Sequence, residues 1–304
     1  MSACCGAQRS GNTPPARPVP AAAQQASQLE TLAARAPEQL RLLGLAGGSF
    51  LMGSEDELAY RADGEGPVRE VAVAPFAIAA TAVTVAEFAV FVLATGYRSD
   101  AEVHGDSLVF DGNLSNETRR LATPDEHAPW WYTVAGANWQ RPEGPDSDAL
   151  KRASHPVTHV SLRDARSYAQ WVGARLPSEA EWEFAARGGL EQQPYPWGAE
   201  FEPGGQARMK TFAGEFPHGP TSPVGTVEVA AYPPNGFGLY NMTGNVWEWT
   251  SGTFSAEDPR PAVRGGSHMC HASYCRRYRT SARTAVTADT SLAHTGFRLA
   301  ADVN

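Results

Sequence analysis

Apolar and polar residues follow a clear period at only a few places in this chain. Gly47-Gly48-Ser49-Phe50-Leu51-Met52-Gly53 reads as a turn into a short strand, and Arg69 to Ala77 as a second strand with partial alternation. Thr84-Val85-Ala86-Glu87 predicts a capping box, in which the threonine hydroxyl caps a free amide and the glutamate reaches back. Phe88, Phe91 and Val92 follow at i, i+3 and i+4, the spacing of one buried helical stripe. Ser161 to Asp164 opens a second helix, with Tyr168 and Val172 among its apolar positions. Ser178-Glu179-Ala180-Glu181 opens a third, which stops at Gly188-Gly189. Residues 98–155 and 190–240 show neither period; loops of that length in a Trp-rich chain point to function rather than to linkers. No internal repeat is visible, and no boundary divides residues 42–304 into two domains.

Composition narrows this picture. With 29 Gly, 23 Pro and 29 aromatic residues in 304, the chain suits a loop-rich, aromatic-stapled fold better than a helical bundle. The first 49 residues hold no aromatic and are rich in Ala, Pro, Gln and Ser, so a mobile tail is expected over residues 1–40 and one folded domain over 41–304. The tail lacks the charged and apolar blocks of a secretory signal. Residues 71–95 are the only membrane suspect, and Pro75, Thr81, Thr84 and Glu87 interrupt them; a strand and a capped helix explain them better. A soluble, cytoplasmic protein is expected. Its net charge of −8 excludes a general nucleic-acid binder, because phosphate affinity rests on Lys and Arg.

Three segments could carry chemistry. Arg264-Gly265-Gly266-Ser267-His268-Met269-Cys270-His271-Ala272-Ser273-Tyr274-Cys275 places two of the four cysteines five apart. The spacing admits a local disulfide, two unrelated thiols or a two-thiolate site; the last suits a soft monovalent ion such as Cu(I) more than zinc. Arg276, Arg277 and Arg279 would favour the thiolate form if they come close. Asn241-Met242-Thr243-Gly244-Asn245-Val246-Trp247-Glu248-Trp249 sets a glutamate between two tryptophans. Either that glutamate is a surface group beside inward-packing rings, or the turn supplies oxygen ligands of the kind calcium prefers. His104-Gly105-Asp106-Ser107, with Trp130, Trp131 and Trp139, could form a groove for an Arg-bearing peptide or could simply be loop packing. No histidine is assigned to a metal.

The same segments resemble the formylglycine-generating enzymes, or sulfatase-modifying factors, of the bacterial aerobic type. Similarity runs from about Gly47 to Asp302 through GGSFLMGS, GDSLVFDG, APWWYTVAGANWQRPEGPDS, HPVTHVSLRDARSYAQWVGARLPSEAEWEFAARGG, PPNGFGLYNMTGNVWEWT, RGGSHMCHASYCRRYR and HTGFRLAAD. The G-G-S-x-x-C-x-x-x-Y-C pattern is the specific one; the helix-opening and G-N-x-W-E-W motifs also occur in non-oxidase relatives of the fold. The resemblance implies an α+β fold: a single compact domain with little regular secondary structure, related to C-type-lectin-like proteins. It implies a copper-dependent oxidase that uses O2 to convert the cysteine of Cys-x-Pro-x-Arg in a nascent, unfolded sulfatase to Cα-formylglycine. Cys270 and Cys275 would hold Cu(I), Ser267 and Trp247 would line the oxygen pocket, and Tyr274 would orient the substrate cysteine. Arg283 matches an active-site arginine. Asp106 would pair with the substrate arginine, beside Ser107, Trp130 and His294. Asn241, Gly244, Val246 and Glu248 match a structural calcium site.

The chain also departs from that pattern. Lys210-Thr211-Phe212-Ala213-Gly214 and a short following loop replace a stretch that forms a second calcium site in many members, so no second site is expected. Thr280 and Leu299 stand where secreted relatives carry disulfide cysteines, which fits a reducing cytoplasm, and His294 stands where many members have asparagine. A monomer is expected. The tail contains Cys4 and Cys5-Gly6-Ala7-Gln8-Arg9, a C-x-A-x-R pentapeptide one substitution from the sulfatase motif. Two alternatives remain: an oxidase of the same fold acting on a non-sulfatase peptide, and a non-catalytic binding module.

Overall fold

A computed structural model describes residues 22–303. In chain order it contains α1 (Ala22–Ala33), β1 (Leu42–Leu45), β2 (Gly48–Met52), β3 (Arg69–Val73), β4 (Phe76–Ala79), α2 (Val85–Thr95) and α3 (Asp100–His104). Next come β5 (Asp106–Phe110), α4 (Asn116–Leu121), β6 (Thr123–Pro124), β7 (Trp131–Ala135), α5 (Leu162–Trp171) and α6 (Glu179–Arg187). The C-terminal part carries β8 (Gly214–Glu215), β9 (Gly219–Pro220), β10 (Trp247–Thr253), β11 (Pro261–Arg264), β12 (Arg283–Ala285), β13 (Thr295–Gly296) and β14 (Ala300–Asp302). Irregular backbone joins these short elements, as an α+β fold low in regular structure requires.

The helices start where local chemistry dictates. Glu87 N–H donates to Thr84 Oγ1 (3.1 Å) and Thr84 N–H donates back to Glu87 Oε2 (2.7 Å), closing the box at the head of α2. Ser161 with Asp164 and Ser178 with Glu181 repeat it on α5 and α6. Gly188, at φ +58°, then ends α6 in the left-handed region that glycine enters without steric cost. Phe88, Phe91 and Val92 are buried, and the Phe88 ring meets Trp139, Tyr168 and Phe91 at 5.2–5.9 Å.

Two expectations need correction. The strand expected over Arg69–Ala77 is two strands, broken at Ala74-Pro75. Proline has no N–H to give to a ladder, so β3 pairs with β2 while β4 pairs with β1 and β14. Residues 22–33, expected within the tail, form a docked helix: α1 packs on α2, Leu32 is buried, and Arg35 Nη1 donates to the Leu150 carbonyl (2.7 Å). Burying one leucine contributes roughly 2 kcal/mol, enough to help fix a short helix on α2. Cys4, Cys5 and the C-x-A-x-R pentapeptide lie outside the described residues.

The sheet that positions the site runs β12-β11-β10-β13, with β10 and β13 parallel and the other pairs antiparallel. The indoles of Trp131, Trp139, Trp182, Trp247 and Trp249 are all buried around it, and Trp249 Nε1 donates to the Val160 carbonyl (3.0 Å). Among the described residues no helix is long and apolar enough to cross a membrane; residues 71–95 are the end of β3, β4 and α2.

Candidate active site

The cysteine loop leaves β11 through two glycines, and both are required. A Cβ on Gly266 (φ +72°) would stand 2.4 Å from the Arg277 carbonyl oxygen, and one on Gly265 (φ +93°) would stand 2.9 Å from that of Met242. The loop thus folds back on its own continuation. Cys270 N–H donates to the Ser267 carbonyl (3.0 Å) and Cys275 N–H to that of His271 (2.7 Å), so successive turns present the thiols to each other. Their Sγ atoms are 3.3 Å apart, both side chains are fully buried, and both are free rather than disulfide-bonded.

Each sulfur has its own polar contact. Ser267 N–H donates to Cys270 Sγ (3.4 Å), and Arg277 Nη1 donates to Cys275 Sγ (3.7 Å). Burial pushes the nearby Tyr278 phenol well up from its ordinary range, and the neighbouring Tyr195, Cys270 and Cys275 add to the shift. On the solvent side, Tyr274 stacks on Phe216 (5.0 Å), and the half-buried Trp130 meets both rings edge-on at 5.0 and 5.3 Å. Beside this aromatic wall lies a cleft of about 490 Å³ lined by Phe212, Gly214, His271, Ala272, Arg276 and Tyr278, among others.

The G-N-V-W-E-W turn lies against the loop. His268 N–H and Nδ1 both meet the Asn245 carbonyl (2.9 Å each), and Trp247 N–H donates to the carbonyl of His294. The His294 ring stands edge-on to Trp131 at 4.8 Å and 6.4 Å from His268. Ser267, Trp247 and His294 are therefore neighbours through this short chain of contacts. Trp247 Nε1 is buried without a hydrogen-bond partner.

Other expected site residues lie elsewhere or are already engaged. Arg283 is held on β12 by Glu179 (2.8 and 2.5 Å) and the Phe254 carbonyl, with its guanidinium over the Phe254 ring. It belongs to an ion network with Arg264, Glu183 and Arg187. The guanidinium at the thiols is that of Arg277; R-R-Y-R carried the signal without saying which arginine turns inward. Ser107 offers no free hydroxyl to a substrate, because Ser291 and His159 Nδ1 (2.8 Å) already engage it in a buried cluster. Asp106 opens β5 and is buried, so it could meet an arginine only as a desolvated pair.

The family described as sulfatase-modifying factor enzyme 1-like domain matches residues 26–303 of this chain. The chain belongs to that family. It is 48% identical over 291 residues to the formylglycine-generating enzyme of Thermomonospora curvata, covering 88% of this chain and 96% of that protein. It is also 44% identical to the inactive C-alpha-formylglycine-generating enzyme 2 of Bos taurus, over 86% of this chain and 88% of the relative. Overall similarity within the sulfatase-modifying family therefore spans active and inactive proteins, and the site residues must discriminate. The solved structure of PvdO from Pseudomonas aeruginosa shares the fold, with TM-score 0.60 and 24% identity over 88% of this chain and all of that one.

Two features bear on the calcium ligands that the resemblance implies. Asn241, at φ +47°, donates both Nδ2 hydrogens to the Glu228 and Val229 carbonyls and leaves Oδ1 buried without a partner. Glu248 accepts from Arg298 on both oxygens (2.6 and 2.8 Å) and from Trp182 Nε1 (2.7 Å), so its charge is already balanced and about one of its roughly four lone-pair sites stays open. At the departed second site, Lys210 Nζ donates to the Pro223 carbonyl (2.8 Å) and Ser222 Oγ (3.3 Å), joining by an ammonium the two segments in which the chain departs from the family.

Proposed function

We propose that this protein is a copper- and O2-dependent oxidase that converts the cysteine of a Cys-x-Pro-x-Arg segment in an unfolded sulfatase chain to Cα-formylglycine. The observation that carries the reading is the pair of free, fully buried thiols 3.3 Å apart, in a family whose active members bear that activity in their name. Two soft sulfur donors on adjacent turns, shielded from water, fit Cu(I) by donor chemistry. When bound, that ion supplies redox contact between O2 and the substrate sulfur. Overall, the substrate would give two electrons and two protons to O2, which leaves as H2O2, or as two waters where a thiol reductant adds two more electrons and two protons; water adds at the substrate Cβ and the sulfur leaves as H2S.

The remaining roles belong to side chains. Trp130, Phe216 and Tyr274 offer an apolar wall to an extended polypeptide, and the Tyr274 hydroxyl orients the incoming cysteine. Ser267 and Trp247 line the dry side of the thiol pair and exclude water there. Asp106 takes the motif's arginine as a charge-assisted pair, which suits a carboxylate removed from solvent. His294 and Trp131 form the rear wall of the site. Asn241 Oδ1, the open position on Glu248, and the carbonyls of Gly244 and Val246 hold one structural Ca2+, the orphaned amide oxygen being the observation that favours it. The reading extends to a monomer in the cytoplasm.

The direct test is a C-x-P-x-R peptide incubated with Cu(I) and O2 and read by mass. Conversion to the aldehyde is expected. An unchanged peptide, with copper shown to be bound, sinks the reading and favours the binding-module alternative. A non-sulfatase peptide converted at the same rate favours the broader oxidase.

A further inference from the structure

Arg276, Arg277 and Arg279 share one platform and have three destinations. Their guanidinium carbons stand 5.2, 4.2 and 5.8 Å from the centroid of the Tyr60 ring. Arg276 Nε and Nη2 donate to the carbonyls of Leu58 and Glu57 (3.1 Å each). Arg279 makes a fork with Glu65 (2.7 and 2.5 Å), whose Oε2 also accepts from Ser281. Arg277 divides its fork: Nε donates to Asp63 Oδ2 (2.5 Å) and Nη1 to Cys275 Sγ (3.7 Å).

Residues 57–65 are therefore latched to the end of the cysteine loop, more than 200 positions away. The Tyr60 hydroxyl accepts the Arg276 N–H (3.1 Å), and Asp63 ends a 3-10 turn over Arg61–Asp63 that Gly64 closes at φ +65°. The latch makes the two sulfurs unequal. Cys270 receives a neutral main-chain N–H, whereas Cys275 receives a cation whose direction is fixed by a carboxylate and a ring.

We propose that Asp63 and Tyr60 are positioning residues that aim Arg277 at Cys275, and that Arg277 is the counter-charge for the net-negative unit formed when the two thiolates hold a monovalent metal ion. This rests on the copper reading of the site. Two thiolates and one Cu(I) carry a net charge of −1, and such a charge in a fully buried pocket is costly unless a cation answers it. Arg277 is itself buried and reaches Cys275, and a planar guanidinium can bond carboxylate and sulfur at once. An ammonium is a point charge on a flexible stem and lacks that fixed span. Partners behind metal ligands commonly govern affinity by about 10–100-fold.

The experiment is an anaerobic Cu(I) competition titration against a calibrated chelator. It uses the full chain as wild type, Asp63→Asn, Arg277→Lys, Arg277→Met and the double variant Asp63→Leu/Arg277→Met, with thermal unfolding of the metal-free proteins alongside. Arg277→Met should bind Cu(I) about 100-fold more weakly and Asp63→Asn about tenfold, with Arg277→Lys failing to restore wild-type affinity. The double variant leaves no buried carboxylate without a partner, so it should fold and still bind weakly. Peptide KM should hold while kcat at limiting copper falls and recovers at excess copper, a split that a merely structural role would not give. Wild-type Cu(I) affinity in folded Arg277→Met or in the double variant overturns the proposal alone. A wild-type chain whose cysteine pair takes up no Cu(I) overturns the copper reading and the proposal together.

Discussion

The cysteine loop and strand β10 lie against each other, yet they treat buried polar groups in opposite ways. On β10, Glu248 is answered on both oxygens by Arg298 and again by Trp182, so its charge is balanced within the protein and about one lone-pair position stays open. In the loop, two sulfurs are brought to 3.3 Å and left unjoined, with a main-chain N–H directed at one and the Arg277 guanidinium at the other. A closed group of charges holds a strand in place; an open pair of soft donors invites a ligand. Both segments read as functional motifs in the sequence, and the difference assigns them separate work.

Substitutions should separate that work. Replacing either sulfur has the largest effect: Cys270→Ser and Cys275→Ser should each reduce copper-dependent peptide conversion to background while the protein stays folded. Conversion at the wild-type rate by either variant would erase the distinction between the two regions. Glu248→Gln should instead cost stability, because Arg298 is left buried without a counter-charge. Breaking such a pair costs about 3–5 kcal/mol, roughly 10 °C in a melting curve for a domain of this size. An unchanged melting temperature would show that Arg298 does not need the charge.

Acid titration sharpens the comparison further. Burial, with Arg152 adding repulsion, holds the His159 imidazole down at about 3 in the folded chain, against an ordinary value near 6.5. The unfolded chain therefore takes up a proton that the folded chain refuses. The stability contributed by neutral His159 is complete above pH 6.5 and is lost as the pH falls from there toward 3. His159→Asn, which also tolerates the local φ of +58°, should flatten that part of the stability curve; an identical slope in chemical denaturation would count against it. The smallest effect belongs to the outer wall. Trp130→Ala should raise peptide KM about 3- to 10-fold, the worth of one aromatic contact of about 0.5–1.5 kcal/mol, with kcat little changed. A fall in kcat with KM unmoved would relocate Trp130 to the chemistry.

How much of this could be read from the chain depended on the range of the interactions. Capping boxes at Thr84, Ser161 and Ser178 are complete within four residues, and all three helices begin there. The Gly265-Gly266 turn and the five-residue cysteine spacing are equally local. The helix at Ala22–Ala33 was not legible, since its segment is rich in Ala, Gln and Ser and is held by docking on α2. Nor could the sequence show which arginine of Arg276-Arg277-Tyr278-Arg279 faces the sulfur. Asp63 and Tyr60 decide that from the other end of the chain. The partner that engages the Ser107 hydroxyl, His159, lies 52 residues away and is brought in by the fold.

In the proposed function Cys270 and Cys275 together hold copper, and the protein uses it on a cysteine peptide. The most direct measurement is intact-mass analysis of a C-x-P-x-R peptide after aerobic incubation with the Cu(I)-loaded chain, run in parallel with both Cys→Ser variants. Replacement of the peptide thiol by an aldehyde with the wild-type chain, and an unchanged peptide with each variant, is the predicted result. Conversion by a chain lacking either cysteine would contradict it.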